Sequence, residues 1–340
     1  MSTFLFPTSA ALGAIEQQML PQLDGASDPI HSIFPDDSRD DSLLIWEQMD
    51  NYVGLQQARG MNGQPGKVNK VGIKQYMMQP GVYGEYLPID ETELTRRRQI
   101  GTFGAAIDIS DLVLMASNQL LQRQVNRKRK MGWDLLTQGY FTNTSPNGAI
   151  IHSDSYTQRI YTSIVPWTTA ATATPLQDLR NVKLLKRGYS IRLDASTPAY
   201  ANQTTINAGL ANLNPADLYG KRDPGLSTIN TLTGLNTLFT GEGLPNLIPF
   251  DDGYYDESGT FQLFIPNGVV VVAGGRSSGA PAGKFVSTRN ANNPGMAPGP
   301  YYKVIDSLEL SVPRKIDVHR GFNGGIALYF PSSFIVMKVY

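Results

Sequence analysis

A chain of 340 residues, 41% apolar and 17% charged, is long enough for one large core or two medium ones, and this composition excludes an unfolded chain. The absence of cysteine excludes disulfides, thiolate zinc sites and cysteine nucleophiles. Lys+Arg and Asp+Glu balance at 29 each, so there is little self-repulsion to oppose dense self-association.

The charge is unevenly placed. Residues 1–60 carry nine acidic residues against Arg39 and Arg59, whereas residues 61–130 carry eleven basic residues against six acidic ones. An acidic arm and a basic body attract each other, within one chain or between chains. With 33 Gly and 22 Pro scattered along it, the sequence favours turns and β-rich structure over a helix bundle. Met1–Pro7 has no basic segment and reads as no signal peptide. The longest strongly apolar run, Val269–Ala273, is far too short to span a bilayer.

Ser9–Leu20 reads as a short amphipathic helix closed by Pro21, and residues 21–42 as an irregular acidic arm anchored by Ile30, Ile33 and Phe34. So few anchors bury too little to offset chain entropy, so the arm is expected to lie on a neighbouring subunit. Leu43–Leu55 and Lys67–Met78 are β-prone and flank the glycine-rich tip Gly60–Gly66. A two-stranded arm is marginal alone and needs a surface, which for an exposed edge can be another chain. Glu85–Arg98 then leads back to the body.

A long helix is predicted from Asp108 or Ser110, either a good N-cap, to about Thr137, with a stop at Gly139. Ile109, Val113, Ala116 and Leu120 share one face, and Leu114, Leu121 and Val125 the adjacent one. At roughly 1.5 Å per residue it is on the order of 40 Å long and can brace a flat subunit. Ala149–Trp167 reads as strand, Pro175 opens a helix to Lys186, and residues 190–224 read as mostly irregular. Leu226–Phe239 has helical spacing. Strands are expected at 261–265, 269–273, 304–312, 326–330 and 334–339.

Several stretches imitate chemistry. Gly274–Phe285 looks like a phosphate loop, but Ser278 and Phe285 occupy the two positions that matter and Pro281 removes an amide. Asp251–Gly259 lacks the ligand spacing of a calcium loop and reads as an acidic turn between strands. His31, His152 and His319 are not spaced for metal. Arg123–Lys130 holds five cations in eight residues, spread round more than one helix face. Nonspecific phosphate contact and pairing with an acidic arm are its functional readings; a solvated helix face is the structural one. No cofactor or metal is expected.

The order of these parts resembles the tailed-phage major capsid proteins of the lambda protein E type. The resemblance rests on Ile33-Phe-Pro35, Arg59–Gly66, Ile100–Ile109, Ile248–Asp256 with Gly259, Phe264–Pro266 and Val269–Val272, and on the closing Pro331–Val339. It implies an α+β Hong Kong 97-type fold. The implied parts are an N-terminal arm (1–42), an extended hairpin (43–100), a peripheral spine-helix domain (101–188 and 302–340) and an axial domain (189–301).

It implies a structural, non-enzymatic protein that self-assembles into hexamers and pentamers of an icosahedral shell around double-stranded DNA. The implied location is the virion, after synthesis in the host cytoplasm. Implied partners are further copies of the chain, a portal, a decoration protein and the packaged DNA, with no membrane. The arm begins near residue 1, so a separate scaffolding protein is expected rather than a fused one. Inter-subunit contacts are expected at Ile33, Phe34, Arg59, Gly60, Gly63, Gly66, Lys67, Arg96, Arg97 and Arg98. Lys67, Lys70 and Lys74 have no matching partner for a lysine–asparagine crosslink, and none is inferred. An encapsulin shell shares the fold, but the Pro249–Asp256 turn favours the phage type. The alternative from another class is a soluble β-rich carbohydrate-active enzyme using Asp251–Glu257.

Overall fold

The computed structural model describes residues 28–49, 55–61, 63–67, 73–96, 108–145, 147–169, 172–187, 191–211, 231–276, 281–308 and 312–340. The expected Ser9–Leu20 helix, Arg97 and Arg98, and most of the Ile100–Ile109 approach to the long helix lie outside the described residues.

The long helix, α3, runs Ile109–Gln138, after the short helices α1 (Pro29–Ile33) and α2 (Glu91–Arg96). Both of its ends are written locally. Asp108 accepts a hydrogen bond from the Ile109 amide at 2.7 Å, and Gly139 takes φ +83°, which a side chain rarely adopts. The amide of Gly139 closes on the Leu135 carbonyl, and Gln158 Nε2 donates to the carbonyls of Leu135 and Leu136. Two carbonyls of the last turn are thereby satisfied. Thirty residues make a rod of about 45 Å.

Two five-stranded sheets pack on this rod. The first is organised by β17 (Ile316–Leu328). Along one edge lies β4 (Gly81–Ile89), antiparallel from Ile316↔Ile89 to Gly324↔Gly81. The other edge is shared by β16 (Tyr301–Asp306) and β15 (Gly283–Ser287), and β1 (Asp36–Ser38) adds in parallel to β15. The first half of α3 packs on this sheet: Leu112, Val113, Ala116 and Leu120 meet Ile89, Ile316 and Val318.

The second sheet has the order β10 (Asn246–Pro249), β9 (Pro198–Ala201), β13 (Val269–Ala273), β18 (Phe334–Lys338) and β7 (Arg159–Thr162). Its centre, Val-Val-Val-Val-Ala, is apolar throughout because both faces are covered. Val270 and Val272 face a core formed with α4 (Pro175–Leu184), α5 (Gln203–Ala211) and α6 (Leu232–Gly241). Val271 and Ala273 face the opposite core, with Met131, Trp133, Leu135 and Leu136 of α3. Alternation along one strand therefore ties α3 to the second sheet.

Four expectations change. Within 190–224 the described stretch 191–211 is mostly regular, formed by β8 (Ile191–Arg192), β9 and α5, while 190 and 212–224 lie outside the described residues. Glu85–Arg98 does not merely descend, because β4 covers 81–89 in nine cross-strand pairs. The third helix begins at Leu232, capped by Thr231 Oγ1 on the Gly234 amide. The expected domain boundaries do not follow the sheets. β15, inside 189–301, pairs with β17, whereas β7 and β18, outside it, belong to the sheet of β9 and β13. Strand pairing depends on distant partners, which local pattern does not encode.

Candidate assembly surfaces

The hairpin pairs β2 (Leu44–Met49) with β3 (Ile73–Met78) antiparallel, from Leu44↔Met78 to Met49↔Ile73. Its root is anchored. Leu44 and Met78 are buried against Val286 and Ala327, with Trp46 and Tyr329 packed alongside. Trp46 stacks on Tyr76 at 5.9 Å and meets Tyr329 edge-on at 6.0 Å. The opposite face is bare: Ile45 and Met77, directly paired, are 52% and 66% exposed.

Toward the tip, every described residue from 55 to 67 is exposed. Leu55 and Met61 are 98% and 101% exposed. The tip folds on itself: the Gly63 amide donates to the Gly60 carbonyl at 3.0 Å, and Arg59 Nη1 donates to the Gly63 carbonyl at 3.1 Å. The Gln57 side chain lies over Gly66 across the tip. Lys67 is exposed beside it, and Arg96 is exposed in the last turn of α2. Arg59, Gly60, Gly63, Gly66 and Lys67 are thus brought together, with Arg96 on a separate element.

The described part of the arm behaves otherwise. Phe34, expected to reach a neighbouring subunit, is 3% exposed inside its own, in the core of Met131, Trp133 and Phe285 and 6.1 Å from the Phe334 ring. Ile33 is partly buried against the same core, and Ile30 packs over Gly132 of α3, where any side chain would collide with it. Residues 28–40 are held by their own body.

The electrostatics follow the same path. Asp28, with a fully buried side chain, receives the Arg129 guanidinium at 2.5 Å, the Trp133 indole at 3.3 Å and the Ile30 amide at 2.7 Å. Arg129 also pairs with Asp252 at 2.5 Å and lies 4.5 Å over the Phe264 ring. Lys128 pairs with Asp36, Lys284 with Asp37, and Arg289 with Asp40. The hydrogen bond from Lys284 holds the Asp37 carboxyl below the usual carboxylate range, and Arg289 does the same to Asp40. Arg123 binds Glu85 of β4 through both nitrogens, and Lys130 binds Asp134.

The acidic arm and basic helix do attract, but within one chain. The run Arg123–Lys130 is therefore a paired rather than a free basic patch, solvated at Arg123 and buried at Arg129: four of its five cations have carboxylate partners, and Arg127 donates to Asn143 at 3.0 Å. The buried role of Arg129 had a signal in the sequence. It stands on the line Leu121, Val125, Arg129, Gly132, Leu136, all of them buried. A cation on an apolar stripe needs a buried partner.

Three carboxylates of the Asp251–Glu257 stretch have structural partners. Asp251 accepts the Gln203 amide, Asp252 holds Arg129, and Asp256 caps its own turn through Ser258 and Thr260. That turn joins β11 (Gly253–Tyr255), which lies inside the stretch expected to be turn, to β12 (Phe261–Leu263). Among the described residues no cluster of His, Cys, Asp or Glu is placed to hold a metal, and no helix is long and apolar enough to cross a membrane.

No protein-family model and no curated protein matches the sequence. Solved structures do match. A protein described as a prophage capsid protein from Escherichia coli CFT073 superposes with a TM-score of 0.57 at 14% identity, over 96% of this chain and 98% of its own. A phage-related protein of Bordetella bronchiseptica RB50 gives 0.54 at 11% identity, over 96% of each chain. The capsid of cyanophage A-1(L) gives 0.51 at 11% identity, over 92% of each. The chain has the α+β, Hong Kong 97-type fold of tailed-phage capsid proteins.

Proposed function

We propose that this chain is the major capsid subunit of a tailed phage. The observation that carries the reading is the fold likeness, which runs along almost the whole of this chain and of its structural neighbours. The role is structural rather than catalytic: the chain closes into hexamers and pentamers of an icosahedral shell that encloses double-stranded DNA. Its partners are other copies of itself, a scaffolding protein, a portal and a decoration protein, and its place is the virion. The first sheet with α3 serves as the peripheral body, and the second sheet with α4–α6 as the axial one.

The exposed hairpin supports the reading. Leu55 and Met61 at an extended tip gain from burial only when another surface covers them. The proposed contacts are Arg59, Gly60, Gly63, Gly66, Lys67 and Arg96, with Arg97 and Arg98 from the undescribed segment. Ile33 and Phe34 no longer belong to the set, because their own core occupies them.

Negative-stain microscopy of the purified chain tests the proposal: shells or capsomers are expected, and a monodisperse monomer at high concentration and in high-salt precipitating buffers would oppose it. Trypsin tests the hairpin. Cleavage after Arg59 or Lys67 is expected in free subunits and protection in assembled particles; equal cutting in both states would remove the tip from the interface.

A further inference from the structure

His152 lies on β6 (Ile150–Ser155), which pairs with β5 (Tyr140–Thr144), and its side chain sits beneath the corner where β3 ends and β4 begins. Its Nδ1 is 2.6 Å from the Tyr83 hydroxyl. That hydroxyl accepts from Asn143 Nδ2 at 2.8 Å and also lies 3.3 Å from the Met131 sulfur, which can take its proton, so Nδ1 is engaged by Tyr83 in either neutral tautomer. Nε2 is buried and has no hydrogen-bond partner. The Phe141 ring stands edge-on at 4.8 Å. A side chain at Gly81 would collide with the imidazole, and one at Gly325 would reach both its Cε1 and the Met78 sulfur. The first residue of β4 and Gly325 of β17 therefore close on the ring, and the Met78 sulfur at the end of β3 packs against the same Gly325.

The surroundings suit only a neutral imidazole. From β4 comes the Tyr83 phenol, kept protonated by burial, with its pKa pushed up to about 12. From α3 comes the Arg127 guanidinium, acting through Asn143 of β5. β3 and β17 supply Met78 and Gly325, neither of which ionises. Asp154, two residues along β6, is hydrogen-bonded to the Tyr156 hydroxyl instead. A proton on His152 would leave a charged N–H without an acceptor in an apolar pocket.

We propose that His152 is an acid-sensitive latch for the hairpin root: neutral, it lets the β3–β4 corner close over it; protonated, it frees the root of β2 and β3 from the body while α3 and the two sheets stay folded. The part that yields is the small cluster of Leu44, Met78, Val286 and Ala327, which is smaller than the other apolar clusters among the described residues. The latch does not depend on what the chain assembles into. Burial holds the folded pKa near 4, below the ordinary 6.5. The favourable contribution is therefore complete above pH 6.5 and is lost as pH falls from 6.5 toward 4. At pH 5 the opening equilibrium should exceed its pH 7.5 value about 30-fold.

Amide hydrogen exchange on the purified chain tests this, expressed as protection factors so that the intrinsic pH dependence cancels. Between pH 7.5 and pH 5, protection in β2 and β3 is expected to fall about 30-fold relative to α3. The fall should vanish in His152→Gln and persist in Asp154→Asn. An equal fall in His152→Gln, or an equal fall in α3, would overturn the latch. Should the Gln variant not fold, the imidazole resonances of the native chain decide, since only His31 and His319 accompany His152. A His152 titration well below 6 supports the latch, and one near 6.5 overturns it.

Discussion

Replacing Arg129 by Met is expected to destabilise the subunit by about 3–5 kcal/mol, the largest effect of any single surface-to-core charge change here. The reason is the partner left behind. Asp28 has no exposed side-chain surface, and without the guanidinium its carboxylate would keep only the Trp133 indole and the Ile30 amide. Arg129 also joins three segments: the arm through Asp28, α3 through its backbone, and the β11 approach through Asp252.

A companion Asp28→Asn change should recover part of the loss, because a neutral amide is cheaper to bury unpaired than a carboxylate. Arg129→Lys should fall between, keeping charge but losing the fork that reaches two carboxylates. Arg123→Met is the control. Its pair with Glu85 is half exposed on both sides, so about 1 kcal/mol or less is expected. Urea unfolding midpoints measure all four variants. Equal losses for Arg129→Met and Arg123→Met would show that burial of the Asp28 pair carries no special weight.

Removing residues 1–35 is expected to damage the subunit before it damages assembly. From sequence alone the arm looked dispensable to the fold, as a strap meant for a neighbour. Its described part instead inserts Ile30 and Phe34, each 3% exposed, into the core around Trp133. Phe34→Ala alone should cost about 3–5 kcal/mol, since Phe334, Phe285 and the position of Gly283 hold a ring-sized space that cannot collapse fully. The truncation adds the loss of Ile30 and strands Arg129 opposite only Asp252. Melting temperature and particle yield separate the two effects. A truncated chain that melts like the full chain yet makes no particles would return residues 28–35 to an inter-subunit role.

The sequence by itself determined what depends on near neighbours. α3 was legible to within a residue at both ends because an Asp cap and a left-handed Gly act within one turn. The five-residue strand Val269–Ala273 was legible because a strand covered on both faces needs an unbroken apolar run. The hairpin was legible because its two apolar arms flank a glycine-rich tip. The order of these parts also pointed to the fold class.

Tertiary structure alone decided the partners. Nothing local says that β15 joins β17, that β7 joins β18, or that β4 runs along Ile316–Gly324 of β17, because a strand pattern specifies a face and not a neighbour. The placement of residues 28–40 likewise depends on tertiary packing. Asp28 is one of nine acidic residues in the first sixty, and Arg129 one of five cations in a row of eight. Only packing of the arm against α3 and the Trp133 core removes water from that one pair, and the low dielectric there makes it matter more than the exposed pairs on either side.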